Sequence, residues 1–185
     1  MSAEREPGSL DLGVVGNSQI AALIDRKGRI VWMCFPRLDS DPVFGALVDN
    51  NADDGAWAIE IVDLVSSEQR YLRNTAILET TLHDLRGGAV RIVDFCPRFK
   101  RHGRIFRPPV LVRRIEPLRG APRVRVRIRP RALRDDATPA IAQGSHHVRF
   151  SFPTSTVRIT TDAPLAYVLD ETAFVLDRSY SFVLS

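Results

Sequence analysis

The sequence predicts an all-β fold, an antiparallel sandwich with at most one short helix, from three observations. First, period-two alternation dominates. The stretches "AWAIEIV", "AILETTLHD", "AVRIVDFC", "VLVRRIE", "RVRVRIRPR", "HHVRFSF", "TVRITTD" and "YSFVLS" all alternate or run apolar over strand lengths. Second, turn chemistry separates them, at Arg26-Lys27-Gly28, Asp53-Asp54-Gly55, Arg86-Gly87-Gly88 and Arg119-Gly120-Ala121-Pro122. Third, no long helical pattern exists from which to build a bundle or the crossovers of a parallel sheet. Many short strands at near-regular spacing pack as two sheets face to face.

Taken in order, "MSAEREPGSLDLG" has acidic residues and no apolar h-region, so it does not read as a signal peptide. "GVVGN" at 13–17 reads as a tight turn between strands: it lacks the G-x-G-x-x-G spacing, and no helix follows to face a phosphate. "AALIDRKGRI" reads as strand, turn, strand. "WMCFPRLDS", residues 32–40, then falls where a buried strand leaves its sheet, and an exit loop of this kind either carries function or is an ordinary polar exit from a hairpin. Trp32 has the parity of a core residue beneath that loop. "DPVFGALVDN" alone looks helical, with Asp41-Pro42 as a start and Phe44, Leu47 and Val48 on one face.

"RVRVRIR" sets Arg123, Arg125, Arg127 and Arg129 on one face and Val124, Val126 and Ile128 on the other. That is a wet sheet face. The other reading, a basic stripe for nucleic acid with Arg113 and Arg114, lacks interleaved exposed aromatics. Residues 98–109 read as a basic loop and 131–146 as a long polar connection. The final "RSYSFVLS" ends inside a strand without a turn or cap, as a piece of a longer chain would as readily as a whole one.

At 185 residues the chain would bury roughly 70% of its unfolded surface, so no disulfide is needed. Cys34 and Cys96 end apolar runs and read as small reduced residues; spacing does not specify a bridge between them. With no C-x-x-C there is no zinc signature, and neither a metal nor a cofactor is expected. No apolar run approaches the roughly 20 residues that cross a bilayer, so a cytoplasmic location is expected. The net charge of +4 is carried almost wholly by arginine, since only Lys27 and Lys100 are lysines. Carboxylates for hydrolysis are available in Asp39, Asp41, Asp94 and the Asp135-Asp136 pair, but glycosidases need two at a set separation. No G-x-S-x-G and no Ser/His/Asp spacing stands out.

The longer stretch "GVVGNSQIAALIDRKGRIVWMCFPRLDSDPVFGALVDN" resembles the start of bacterial glycoside hydrolase family 15 proteins, the glucoamylase and trehalase-like enzymes. Against their G-N/D-x-x-x-A-A-L-[IV]-x-x-x-G-x-I-x-W-x-C-x-P-R-F-D-S pattern it keeps Gly16, Asn17, Ala21, Ala22, Leu23, Gly28, Ile30, Trp32, Cys34, Pro36, Arg37, Asp39 and Ser40, with Leu38 where Phe is usual. "QRYLRNTAILETTL" at 69–82, "VRIVDFCPR" at 90–98 and "RRIEPLRG" at 113–120 are similar to further family motifs, whereas 131–150 departs from them.

The resemblance implies that residues 1–185 form one N-terminal domain, a large two-sheet, supersandwich-like β-sandwich preceding an (α/α)6 barrel. In such enzymes two glutamates of the barrel act as general acid and base and invert the anomeric centre. No catalytic residue would then lie in this chain, whose partner would be the barrel of the same polypeptide, acting on an α-glucoside. Whether that is trehalose or an α-1,4-glucan is decided in the barrel. The same resemblance makes Arg37, Asp39, Ser40 and Asn17 candidates for the domain interface or the rim of the sugar pocket. Trp32, Cys34 and Pro36 become candidates for core support of that loop. The competing reading is a stand-alone module binding carbohydrate or a polyanion through its arginine-rich strands.

Overall fold

A computed structural model describes residues 10–48, 54–132 and 138–185. The Asp135-Asp136 pair, the end of "DPVFGALVDN" and the middle of the 131–146 segment lie outside the described residues. The chain opens with β1 (Gly13–Gly16), β2 (Ala21–Ile24) and β3 (Ile30–Cys34) as a meander, to which β4 (Pro42–Phe44) and β5 (Trp57–Ile61) add beside β3. A second meander follows in β6 (Leu64–Tyr71), β7 (Leu78–Asp84) and β8 (Ala89–Phe95). β9 (Phe99–Arg101) and β10 (Arg104–Phe106) pair only with each other. β11 (Leu111–Arg119) returns to β8, and β12 (Arg123–Ile128) crosses to β5.

The last third runs through β13 (Ala140–Gln143), β14 (His147–Ser151), β15 (Thr156–Thr161), α1 (Leu165–Leu169), β16 (Phe174–Val175) and β17 (Tyr180–Leu184). One sheet has the order β1-β2-β3-β5-β12-β16 with β4 on β3; the other runs β13-β14-β15-β17-β11-β8-β7-β6. Every pairing is antiparallel. The two-sheet sandwich is the architecture the alternation predicts.

Inward-facing side chains of both sheets make one core, including Ile24, Ile59, Leu82, Ile92, Val126 and Leu184. Trp57 is its largest fully buried side chain. Its ring meets Phe44 of its own sheet at 6.1 Å and Phe182 of the facing sheet edge-on at 6.2 Å. Beside it lies a buried ion pair: Arg113 Nε donates to Asp94 Oδ1 at 2.7 Å and both side chains are fully buried. Arg113 stands on β11 and Asp94 on β8, neighbours in one sheet. The guanidinium reaches across to the other sheet, donating from Nη1 to the Trp57 carbonyl at 2.8 Å and from Nη2 to the Gly28 carbonyl. Its Cζ sits 5.1 Å from the Trp57 ring centroid. One arginine thus bolts the two layers together.

Gly28 is needed for that bolt. It adopts φ +74°, and a Cβ there would come within 3.1 Å of Ile92 Cδ1. Asp25 closes the same turn by accepting from the backbone N–H groups of Lys27 and Arg29 at 2.9 Å each.

Several local expectations are corrected. "GVVG" is itself strand β1, with the turn after it. "DPVFGALVDN" begins as strand β4, because Val43 and Phe44 both enter the core opposite β3. Its apparent helical face splits: Phe44 is fully buried while Val48 is 65% exposed. Among the described residues the one helix is α1, whose single buried residue, Val168, leaves no period to read. The 98–109 and 131–146 segments hold strands β9, β10 and β13.

Two glutamates tie strands together and set an acid dependence. Glu116 is held below the usual carboxylate range, chiefly by its hydrogen bond from Arg91, with Arg114 adding charge. Glu171 is lowered chiefly by its hydrogen bond from Arg129, whose Nε and Nη2 both donate at 2.7 Å. A lowered carboxyl contributes stability above its unfolded pKa, about 4.3 for glutamate, and loses it as pH falls through the folded value. Asp94, raised by burial against the pull of Arg113, titrates in the opposite sense. The thermal midpoint should therefore drop below about pH 5, and Glu116→Gln or Glu171→Gln should flatten the drop. An unchanged pH profile in both variants would show that these pairs add nothing.

Candidate functional site

β3 leaves its sheet at Cys34 and enters the loop 35–41, which is exposed from Pro36 to Asp39. A register shift decides which side chains lie beneath it. Leu23 faces Trp32 but Ile24 faces Ile30, so Val31 is an extra residue on β3. A bulge exchanges the two faces of a strand. Met33 and Phe35 consequently enter the core, and Trp32 and Cys34 turn to the outer face, each half-buried. The core position read for Trp32 from its parity is thus corrected, and Trp57 is the core tryptophan. Partial burial raises the Cys34 thiol, against a smaller lowering from the neighbouring Trp32 side chain. Pro36, preceded by a cis peptide bond, is exposed and supports no core.

The loop closes on itself. Arg37 N–H donates to Ser40 Oγ and Ser40 N–H to the Arg37 carbonyl, each at 3.2 Å. The Arg37 guanidinium grips Asp39 with two bonds of 2.9 Å and holds its carboxyl below the usual range. Their side chains are 66% and 70% exposed, and Leu38 between them is 54% exposed. Arg37, Asp39 and Ser40 therefore form a preset, solvent-facing tip. Such a solvent-exposed pair contributes little to the isolated fold.

Asn17 behaves differently. It is buried, and its Nδ2 donates to the carbonyls of Pro97 and Pro108 at 2.9 and 2.8 Å. Its Oδ1 accepts from the N–H groups of Gln19 and Ile20 at 3.0 and 3.3 Å. Two donors and two acceptor sites are all an amide has. Asn17 is thus a structural clamp with nothing left for a sugar or a partner, which corrects its candidacy as a rim residue. Asn17→Ala should cost about 1–3 kcal/mol by orphaning these groups. Arg37→Ala and Asp39→Ala should leave the thermal midpoint unchanged. Equal effects from all three would show that the tip is structural too.

The clamp reveals what sequence reading missed. Pro97 and Pro108 flank the β9–β10 hairpin, so Asn17 holds its base. Phe99 and Phe106 stack at 5.9 Å with 11° between their planes, and both are exposed. Arg98, Lys100, Arg101, His102, Arg104 and Arg107 surround them, all exposed. A signal was present: "FKRHGRIF" is near-mirrored about His102-Gly103, and both turn residues have positive φ, as a two-residue hairpin turn requires.

The remaining acidic and basic candidates resolve as structure. Asp94 is buried in its ion pair and out of a substrate's reach. Arg125 and Arg127 both reach Glu60, at 4.0 and 3.1 Å, and Arg129 pairs with Glu171 and Asp54, so most of the arginine-rich strand is paired with carboxylates. Cys34 and Cys96 are free thiols, and burial pushes the Cys96 thiol up to about 12, leaving it unreactive near neutrality. A cavity of about 470 Å³ opens where β12, α1 and β14 meet, with Phe150 and Val168 inside and the Arg129–Glu171 pair at its wall.

A two-sheet sandwich with this loop meets a family match of the same kind. The family model described as trehalase-like, N-terminal, matches residues 4–161. The chain belongs to the trehalase-like N-terminal domain family. Its relatives include Trehalase 1 of Sulfolobus acidocaldarius, 44% identical over 91 residues that make up 49% of this chain and 15% of the relative. The Trehalase of Thermoplasma volcanium is 28% identical over 157 residues, 83% of this chain and 24% of that protein. The Trehalase of Mycolicibacterium smegmatis is 36% identical over 78 residues, 40% of this chain and 11% of that protein. This trehalase-like N-terminal domain therefore spans about a quarter or less of the relatives it matches. No solved structure matches it significantly.

Proposed function

We propose that this chain serves as the N-terminal accessory domain of a family 15 glycoside hydrolase that cleaves trehalose or a related α-glucoside with inversion. It packs on an (α/α)6 catalytic barrel of the same polypeptide, and that barrel carries the general acid and base. The observation that carries the reading is the trehalase-like N-terminal match over residues 4–161. Arg37, Asp39 and Ser40 would meet the barrel or the rim of its pocket, where their preset geometry costs little ordering entropy on docking.

The test has two arms. The product of the whole gene, read past Ser185, should hydrolyse trehalose to one α- and one β-glucose, the anomeric pair that inversion at one centre leaves. The 185-residue chain alone should show no turnover. Turnover by the pure chain, abolished by replacing Asp39 or Asp94, would overturn the assignment of catalysis elsewhere.

A further inference from the structure

We propose that the β9–β10 hairpin, with the Leu38 loop beside it, is the edge by which this domain seats on an acidic face of the catalytic domain in the same polypeptide. This rests on the accessory-domain reading above. Every residue of both hairpin strands is exposed, and the pair forms a sheet of its own. A lone two-stranded hairpin is marginally stable in water, and two exposed phenyl rings at its base add apolar surface that folding has not covered.

The hairpin's charges also lack a counterpart. Cross-strand register sets Phe99 opposite Phe106 and Arg101 opposite Arg104, and alternation puts both pairs on one face. Like charges directly opposite are unfavourable. Among the described residues, Arg98, Lys100, Arg101, Arg104 and Arg107 make no ion pair; Arg86, Arg149 and Arg158 share that state elsewhere, but here five such cations crowd one small hairpin. A surface of this kind is complemented by carboxylates around an apolar pocket that admits the two rings.

Position selects the occupant. Asn17 holds the hairpin's base against the β1–β2 turn, and β2 and β3 lie alongside at strand spacing, so the Leu38 loop emerges at the same end. Leu184 pairs with Leu111, just after the hairpin. Any residues beyond Ser185 would thus leave the sandwich beside it. A protein face fits better than a nucleic acid, because each phenyl ring already gives one face to the other ring instead of to a base.

Hydrogen exchange measured on the whole gene product and on this chain alone tests the proposal. Amides of residues 98–107 should exchange about tenfold or more slowly in the whole product; equal rates would overturn it. Arg101→Glu with Arg104→Glu, and separately Phe99→Ser with Phe106→Ser, should abolish that protection and split thermal unfolding of the whole product into two transitions. Arg101→Lys with Arg104→Lys should keep both. The same substitutions should leave the midpoint of the chain alone unmoved, and a fall there would make the hairpin structural and end the proposal. Salt-sensitive retention of the chain on heparin, lost on charge reversal while exchange in the whole product stays unprotected, would assign the hairpin to a polyanion instead. A gene without a catalytic domain would remove the accessory-domain reading itself, an outcome separate from a barrel present with a freely exchanging hairpin.

Discussion

Arg113→Ala should destabilise the isolated domain by about 3–5 kcal/mol, because it leaves the Asp94 carboxylate buried without its partner. The guanidinium also serves the carbonyls of Gly28 and Trp57 on the facing sheet, so its loss removes bonds from both layers at once. Asp94→Ala should cost a similar amount by stranding the cation. The informative variant is the double replacement Arg113→Met with Asp94→Leu. Exchanging a whole buried pair for apolar groups of like volume is often neutral or stabilising. Here the Gly28 and Trp57 carbonyls stay unsatisfied, so recovery should be partial. Urea denaturation midpoints of the three variants check this. Single losses below about 1 kcal/mol, the range of surface pairs, would show that the pair is solvated.

Trp57→Ala should cost about 3–5 kcal/mol, the range for removing a fully buried aromatic. The ring touches Phe44, Phe182 and Arg113, so the cavity would open between the sheets where neither can collapse into it. Trp57→Phe should be much milder. The indole Nε1 is buried without a hydrogen-bond partner, so removing it relieves an unsatisfied donor and offsets part of the lost volume. Trp32→Ala should cost about 1–2 kcal/mol, as for a half-buried side chain. Denaturation of the three proteins side by side decides between them. A larger loss at Trp32 than at Trp57 would contradict the register shift at Val31.

The exit loop shows how far a site is readable from residues. Its Arg37 and Asp39 stand exposed at the tip with Ser40 half-buried beside them, as their polarity suggests, since side chains two residues apart can meet locally without help from the rest of the fold. Asn17 belongs to the same sequence pattern but has the opposite fate. Its partners at Pro97 and Pro108 are distant in sequence, and no local rule could name them. The hairpin hid for a related reason: without an apolar inward face, β9 and β10 lack the alternation that betrays a half-buried strand.

Alternation and turn chemistry by themselves determined that this chain is a two-sheet antiparallel sandwich, because hydrophobic period and turn residues are local properties of the backbone. The quoted motifs also determined its family. Tertiary structure alone decided which tryptophan is core, that Asp94 is locked to Arg113 inside that core, and that the cations of residues 98–107 crowd one exposed hairpin. Those outcomes turn on a one-residue bulge in β3 and on contacts between residues far apart in the chain, and inserting one residue inverts a strand's faces without changing its composition.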